Sequence, residues 1–145
     1  MVKNILFVCR HNVFRSQIAQ EFFKRLNKNK NYKAESAGLI SYKKEDYKNN
    51  KNYKIEKSEA KKLGLRFNKK SKSLNSSLLK KTDILVVVAN DIPISMFDNE
   101  VAFRGKIVLW KIPDIRKKDK NPRKVIRNSV LLIEKKVKEF VGGLK

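Results

Sequence analysis

The stretch Ile5-Leu6-Phe7-Val8-Cys9-Arg10-His11-Asn12-Val13-Phe14-Arg15-Ser16-Gln17-Ile18-Ala19 changes its period part-way. Ile5 to Cys9 is an uninterrupted apolar run, short enough for a strand buried on both faces. From Ser16 onward, Ile18, Ala19, Phe22, Phe23 and Leu26 fall at helical spacing, with Gln17, Gln20, Lys24 and Arg25 on the other side. A strand feeding through a tight loop into a helix opens an α/β fold.

The rest of the chain continues that alternation. A second short strand is expected from Lys33 to Ser36, stopped by Gly38. Residues 41–54 hold Ser, Tyr, Lys and Asn without a period and read as a mobile surface loop. Ile55 to Leu63 reads as a helix with Gly64 at its C-cap, and Leu74 to Leu79 as a shorter one. Ile84 to Ala89 is the strongest strand, and its continuous hydrophobicity predicts a central, parallel position. Ile107 to Trp110 makes a fourth strand. A final helix is expected from Arg123 to Val141, with Ile126, Val130, Ile133 and Val137 on its apolar stripe and Gly142-Gly143 as its stop. Neither an internal repeat nor a linker interrupts the pattern. Residues 1–145 therefore read as a single domain, a four-stranded parallel sheet with helices on both faces. Such sheets bind ligands at the carboxyl ends of their strands.

Composition narrows the function. Lys and Arg number 36 against 14 Asp and Glu, a formal charge of +22, yet 41% of residues are hydrophobic, enough for a real core. No apolar run approaches the roughly 18 residues of a membrane span, and the N-terminus does not read as a signal peptide. The single cysteine, Cys9, excludes an intramolecular disulfide and the usual Cys-rich zinc site. A reducing cytoplasmic setting is expected, with no metal, no cofactor and no membrane partner. The excess charge is mostly lysine, spread as pairs such as Lys43-Lys44, Lys61-Lys62, Lys80-Lys81 and Lys135-Lys136. Lysine is a hydrated point charge without arginine's fork, and no zinc-finger, RNP or helix-turn-helix pattern accompanies it. General solvation therefore ranks ahead of dedicated nucleic-acid binding. A monomer or weak dimer is expected.

The loop itself carries the chemistry. Cys9 ends a strand, five residues follow, and Arg15-Ser16 opens a helix. Wrapped tightly, such a loop points successive backbone N–H groups inward and forms an anion nest at a helix N-terminus. The helix dipole and Arg15 would favour the Cys9 thiolate. Arg15 could grip two oxygens of a phosphate, and Ser16 could donate to the thiolate or cap the helix. Asn12 tolerates the left-handed turn that a loop this tight needs. A lone cysteine is more often an inert buried thiol. Cys, Arg and Ser together at a strand-to-helix corner reverse that preference.

Cys-x5-Arg-Ser directly after the first strand resembles the low-molecular-weight protein tyrosine phosphatases and the related thioredoxin-coupled arsenate reductases. Val8, Cys9, Asn12, Arg15 and Ser16 match the family loop, and Ser36-Ala37-Gly38, Asp83 and Pro113-Asp114 match further on. The resemblance implies a phosphotyrosine phosphatase I-like fold with flavodoxin-like winding. It implies that Cys9 attacks phosphorus and that Arg15 and the phosphate-binding loop of Arg10, His11, Asn12, Val13, Phe14 and Ser16 stabilise the transferring group. It makes Asp114 the general acid, with Asn12 and Ser36 as loop support. Asp119 and Asp91 are competing acids, each read as solvated or helix-capping.

Departures from the family sharpen the reading. His11 stands where the family has Gly, and reads as an exposed rim residue or, when protonated, a phosphate ligand. Phe14 replaces a second loop cysteine, so no disulfide can protect Cys9. Ile115 replaces the Pro after the acid, and Arg116-Lys117-Lys118 gives a basic rim. Tyr42, Tyr47 and Tyr53 offer aromatic contacts from the 41–54 loop, and Val13 agrees with a tyrosine-type pocket. Phosphomonoester hydrolysis on a phosphorylated protein or small phosphomonoester, most of all phosphotyrosine, leads. Arsenate reduction with an external thiol comes second, and a catalytically weak phosphate- or nucleic-acid-binding protein third.

Overall fold

A computed structural model describes residues 1–66, 70–99, 103–116 and 118–145. Four strands, β1 (Lys3–Cys9), β2 (Tyr32–Gly38), β3 (Ile84–Val88) and β4 (Lys106–Trp110), lie in the order β2-β1-β3-β4. Every pairing is parallel, with Phe7 opposite Ser36 on one side and Val86 on the other. The two central strands are the two continuous apolar runs, because only a strand covered on both faces needs apolar side chains on both. This is the flavodoxin-like winding expected from the sequence.

Alternate side chains divide the core. Ile5, Phe7, Val86, Val88 and Trp110 face helices α1 (Arg15–Leu26), α3 (Lys51–Lys62) and α6 (Pro122–Gly142). Leu6, Val8, Leu85 and Val87 face the short helices α4 (Ser76–Lys80) and α5 (Ser95–Asn99), through Leu78, Leu79 and Phe97. Phe22 and Phe23 on α1 are each 1% exposed, and burying a phenyl ring is worth about 2–3 kcal/mol. Phe7, Trp110 and Phe140 pack edge-on or tilted beneath α6, with centroids 5.8–6.4 Å apart. Among the described residues, no helix is long and apolar enough to cross a membrane.

The segment read as a mobile loop is ordered structure instead. Helix α2 occupies Lys44–Tyr47, and α3 begins at Lys51, four residues before the expected Ile55. The Asn50 side chain caps α3 by accepting from the backbone N–H groups of Asn52 and Tyr53. Tyr47 and Tyr53 are buried and pack nearly perpendicular at 4.9 Å. The inward stripe of α3 runs Tyr53, Glu56, Glu59, Ala60. Two buried acids, Glu56 and Glu59, thus share the stripe with Tyr53 and Ala60. Glu59 is held by Arg127 of α6 at 2.7 Å, with Lys62 at 3.0 Å and Arg123 at 3.4 Å. Gly64 closes α3 at φ 69°, the left-handed turn expected of it. Helix α5 had no expectation in the sequence.

Gly38, at the carboxyl end of β2, lies against the loop that follows β1. A Cβ there would sit 2.6 Å from the His11 carbonyl carbon and 2.7 Å from the Asn12 nitrogen. Backbone cannot step aside as a side-chain tip can. Gly38→Ala should therefore lower stability by roughly 1–3 kcal/mol, measured by urea unfolding. An unchanged midpoint would show that β2 and the loop are not in this contact.

Candidate active site

The loop from Arg10 to Phe14 turns back over the end of β1 with Asn12 at φ 56°, the one non-glycine residue among those described with positive φ. That turn aims the Asn12 N–H at Cys9 Sγ, 3.3 Å away. The Asn12 side chain then ties the loop in three directions. Its Oδ1 accepts from the Lys72 N–H at 3.1 Å, which fixes the amide orientation. Its Nδ2 donates to Ser16 Oγ at 2.7 Å and to Ser36 Oγ at 3.0 Å. Ser36 passes its own proton on to Gln20 Oε1 at 2.8 Å. Ser16 Oγ, which accepts from Asn12, also hydrogen-bonds Cys9 Sγ at 3.1 Å. Of the two roles open to Ser16, the bond to sulfur is the one formed, since α1 has no side-chain cap.

Residues 71–74 brace the loop from outside. The Gly38 N–H donates to the Lys72 carbonyl, the Leu74 N–H donates to the Gly38 carbonyl, and Ser71 Oγ donates to the His11 carbonyl. Periodicity could not announce it, because Lys70-Ser71-Lys72-Ser73 has neither period nor apolar content.

Arg15 is 4% exposed, with its guanidinium pinned between elements. Nη1 donates to the Ile112 carbonyl at 2.9 Å and to Asp91 Oδ1 at 3.2 Å, while Nη2 lies 3.7 Å from Asp114 Oδ2. Asp91 thus corrects its sequence reading: it is an ion-pair partner of Arg15, joined at 3.8 Å by Arg10. Its position just beyond β3 was the available signal, since the carboxyl ends of parallel strands share one edge. Asp119 stays in a turn and accepts from the Arg116 N–H at 2.7 Å. Asp114 follows β4, half-exposed, with Oδ1 accepting from the Ile115 N–H at 2.9 Å. Cys9, Arg15 and Asp114 line one cleft of about 350 Å³.

Phe14 and Val13 also line that cleft, and Tyr47 and Tyr53 supply an aromatic wall. Tyr42 stacks on the His11 ring at 4.3 Å and 19°. Burial lowers the His11 pKa, and the Arg10 charge adds to that. Both effects favour the neutral ring, which Tyr42 partners. Arg116 and Lys118 are exposed beside the cleft, and Lys117 lies outside the described residues.

A strand–loop–helix cysteine site with a buried arginine and an acid on a neighbouring loop now has its counterpart among known proteins. The profile of the family described as low molecular weight phosphotyrosine protein phosphatase matches residues 4–141. The chain belongs to that family. Among solved structures, an arsenate reductase from Archaeoglobus fulgidus is 27% identical, with a TM-score of 0.68 over 95% of this chain and 98% of its own. The tyrosine phosphatase Wzb of Escherichia coli K30, solved with sulphate, is 23% identical, with a TM-score of 0.74 over the whole of both chains. Vibrio vulnificus Wzb, solved with benzylphosphonate, is 20% identical, with a TM-score of 0.75 over 99% of this chain and 100% of its own. The search of curated proteins returned no match. Likeness at these identities places phosphatases and arsenate reductases on the same fold.

One member of the cleft was absent from the sequence reading. Glu56 of α3 is 7% exposed and reaches the cleft beside Arg15 and Asp114. Burial raises its pKa to about 8; Asp114 pushes the same way and Arg15 opposes. In the unfolded chain the carboxyl would ionise near 4.5. Below that value both states hold the proton and stability is unaffected. As pH rises further, the unfolded state loses the proton first, so folding weakens by roughly 1.4 kcal/mol per pH unit until the folded group also ionises. Glu56→Gln should therefore melt several degrees above the wild type at about pH 8 and level with it at about pH 4. Parallel melting curves at both pH values would show that Glu56 is not buried as described.

Proposed function

We propose that this chain hydrolyses phosphomonoesters through a phosphocysteine intermediate, with protein phosphotyrosine as the leading substrate. The observation that carries the reading is the convergence of hydrogen bonds on Cys9 Sγ. The Lys72 N–H donates to Asn12, Asn12 donates to Ser16, Ser16 Oγ hydrogen-bonds the sulfur at 3.1 Å, and the Asn12 N–H donates to the same atom. A sulfur held by two hydrogen-bonding groups at a strand-to-helix corner, beside a buried arginine, suits a cysteine nucleophile.

In this reading Cys9 Sγ attacks phosphorus opposite the ester oxygen, forming the S–P bond as the P–O bond breaks. The loop amides and Arg15 stabilise the equatorial oxygens, and Asp114 gives its proton to the departing phenolate. Asp114 then takes a proton from water, which attacks phosphorus and releases phosphate and the thiolate. Tyr47, Tyr53 and Val13 would pack against a phenyl leaving group. The arsenate reductase likeness at 27% identity favours a second reading. In it arsenate would occupy the loop, and because Cys9 is the only cysteine, an external thiol would supply the electrons.

Turnover should separate these. Cys9 should be the sole residue alkylated by iodoacetate near neutral pH, with phosphate or vanadate protecting it. Slow modification without protection would remove Cys9 from the role. Arg15→Lys should abolish useful turnover, because a point charge cannot reproduce a planar two-pronged grip. Asp114→Asn should cost on the order of 10²–10⁴-fold on phosphotyrosine and much less on p-nitrophenyl phosphate, whose phenolate leaves with little help. Equal losses on both would deny Asp114 the acid's role. The same signature in Asp119→Asn or Asp91→Asn would move that role to the other residue. Arsenate-dependent oxidation of an added thiol, without phosphatase turnover, would establish the second reading. Neither activity would leave a phosphate-binding protein.

A further inference from the structure

Glu56 occupies a position that a structural role explains poorly. Its side chain is buried on the inward stripe of α3, and among the described residues no hydrogen bond or ion pair ties its carboxyl to a neighbour. The other buried acid of the helix, Glu59, has three cations around it. Glu56 instead opens on the cleft that Cys9, Arg15 and Asp114 line. A second, smaller cavity, between the Asp114 loop and α6, is again lined by Glu56, Arg15 and Asp114. An unpartnered buried acid costs folding free energy, and here it is spent behind the one buried cation of the site.

We propose that Glu56 is a positioning residue for oxyanion binding: as the neutral acid it leaves the Arg15 guanidinium to the incoming phosphoryl group, and as a carboxylate it repels that group and competes for Arg15. The inference rests on the loop being the phosphoryl site proposed above. Charge around Arg15 makes the effect strong. Asp91 and Asp114 already oppose that cation. A third negative charge in a buried site would leave no net attraction for a dianion.

Several charged and titratable groups face Glu56. Arg15 and Asp114 face it from the phosphate loop and the loop after β4, and Tyr53 from its own helix. Burial raises the Tyr53 and Tyr47 pKa values above 10, and burial lowers that of His11 below 6.5. From α6, Arg123 and Arg127 are engaged by Glu59 one turn away. Cys9 is the remaining thiol in the cleft, and replacing it with serine removes its titration.

Sulfate is the suitable probe, because it stays a dianion across the range. Its dissociation constant should be measured by titration calorimetry on Cys9→Ser protein from about pH 6 to about pH 9.5. Affinity should hold to near neutrality and then fall about tenfold per pH unit once Glu56 ionises. Glu56→Gln in the same background should bind with an affinity that changes less than about twofold over that range. Glu56→Asp should keep a fall, which a purely structural residue would not restore. A flat profile in Cys9→Ser protein, or the same fall after Glu56→Gln, overturns the proposal while leaving the phosphoryl site intact. No sulfate binding at any pH overturns the site and the proposal together. Should the Gln variant not fold, the profile of Cys9→Ser against Glu56→Asp decides.

Discussion

The loop between β1 and α1 hangs on one carboxamide. Asn12 is the residue at positive φ, and both hydrogens and the oxygen of its side chain are engaged with Ser16, Ser36 and Lys72. Aspartate could match the turn but not the two donations, and glycine could match the turn but not the side chain. Each bond is worth about 0.5–1.5 kcal/mol net. Removing the amide would strand several buried partners at once, so the loss is larger than that sum. The same residue sets the sulfur's surroundings, since its backbone N–H and, through Ser16, its side chain both end at Cys9. Position and chemistry of the cysteine are therefore one constraint. Gly38 completes it by letting β2 come within contact of the loop backbone.

Much of this was legible in the residues. The four strands, the long helices and the parallel order followed from where apolar runs were continuous and where they were periodic. Asn12 and Ser36 were legible through the family motif, and the bonds between them needed coordinates. What stayed hidden has a common cause. The first turn of helix α3, Lys51-Asn52-Tyr53-Lys54, has a single apolar side chain and so looked like loop, although Asn50 is a good cap. Tyr47 and Tyr53 were weighed as aromatic contacts against a solvated loop as the default, and both are buried and line the cleft. The strap at residues 71–74 is stabilised by backbone and hydroxyl hydrogen bonds, and periodicity does not report these. Asp91 was seen and misjudged, because which strand ends converge depends on sheet order, and its bond to Arg15 crosses 76 positions.

Charge behaves differently at the two length scales of this molecule. At long range, +22 presents a positive field to any anion, though salt screens it beyond about 8 Å. Inside the cleft the balance reverses. Arg15 is the buried cation, burial favours the neutral form of His11, and Asp91, Asp114 and Glu56 all bear on the same guanidinium. A buried guanidinium without counter-charge would be costly, so the empty site needs acids around it. An arriving dianion supplies that counter-charge itself and leaves the acids in excess. Burial already holds the proton on Glu56 against that excess, and the scarcity of positive charge immediately around Arg15 is what makes its neutral form matter.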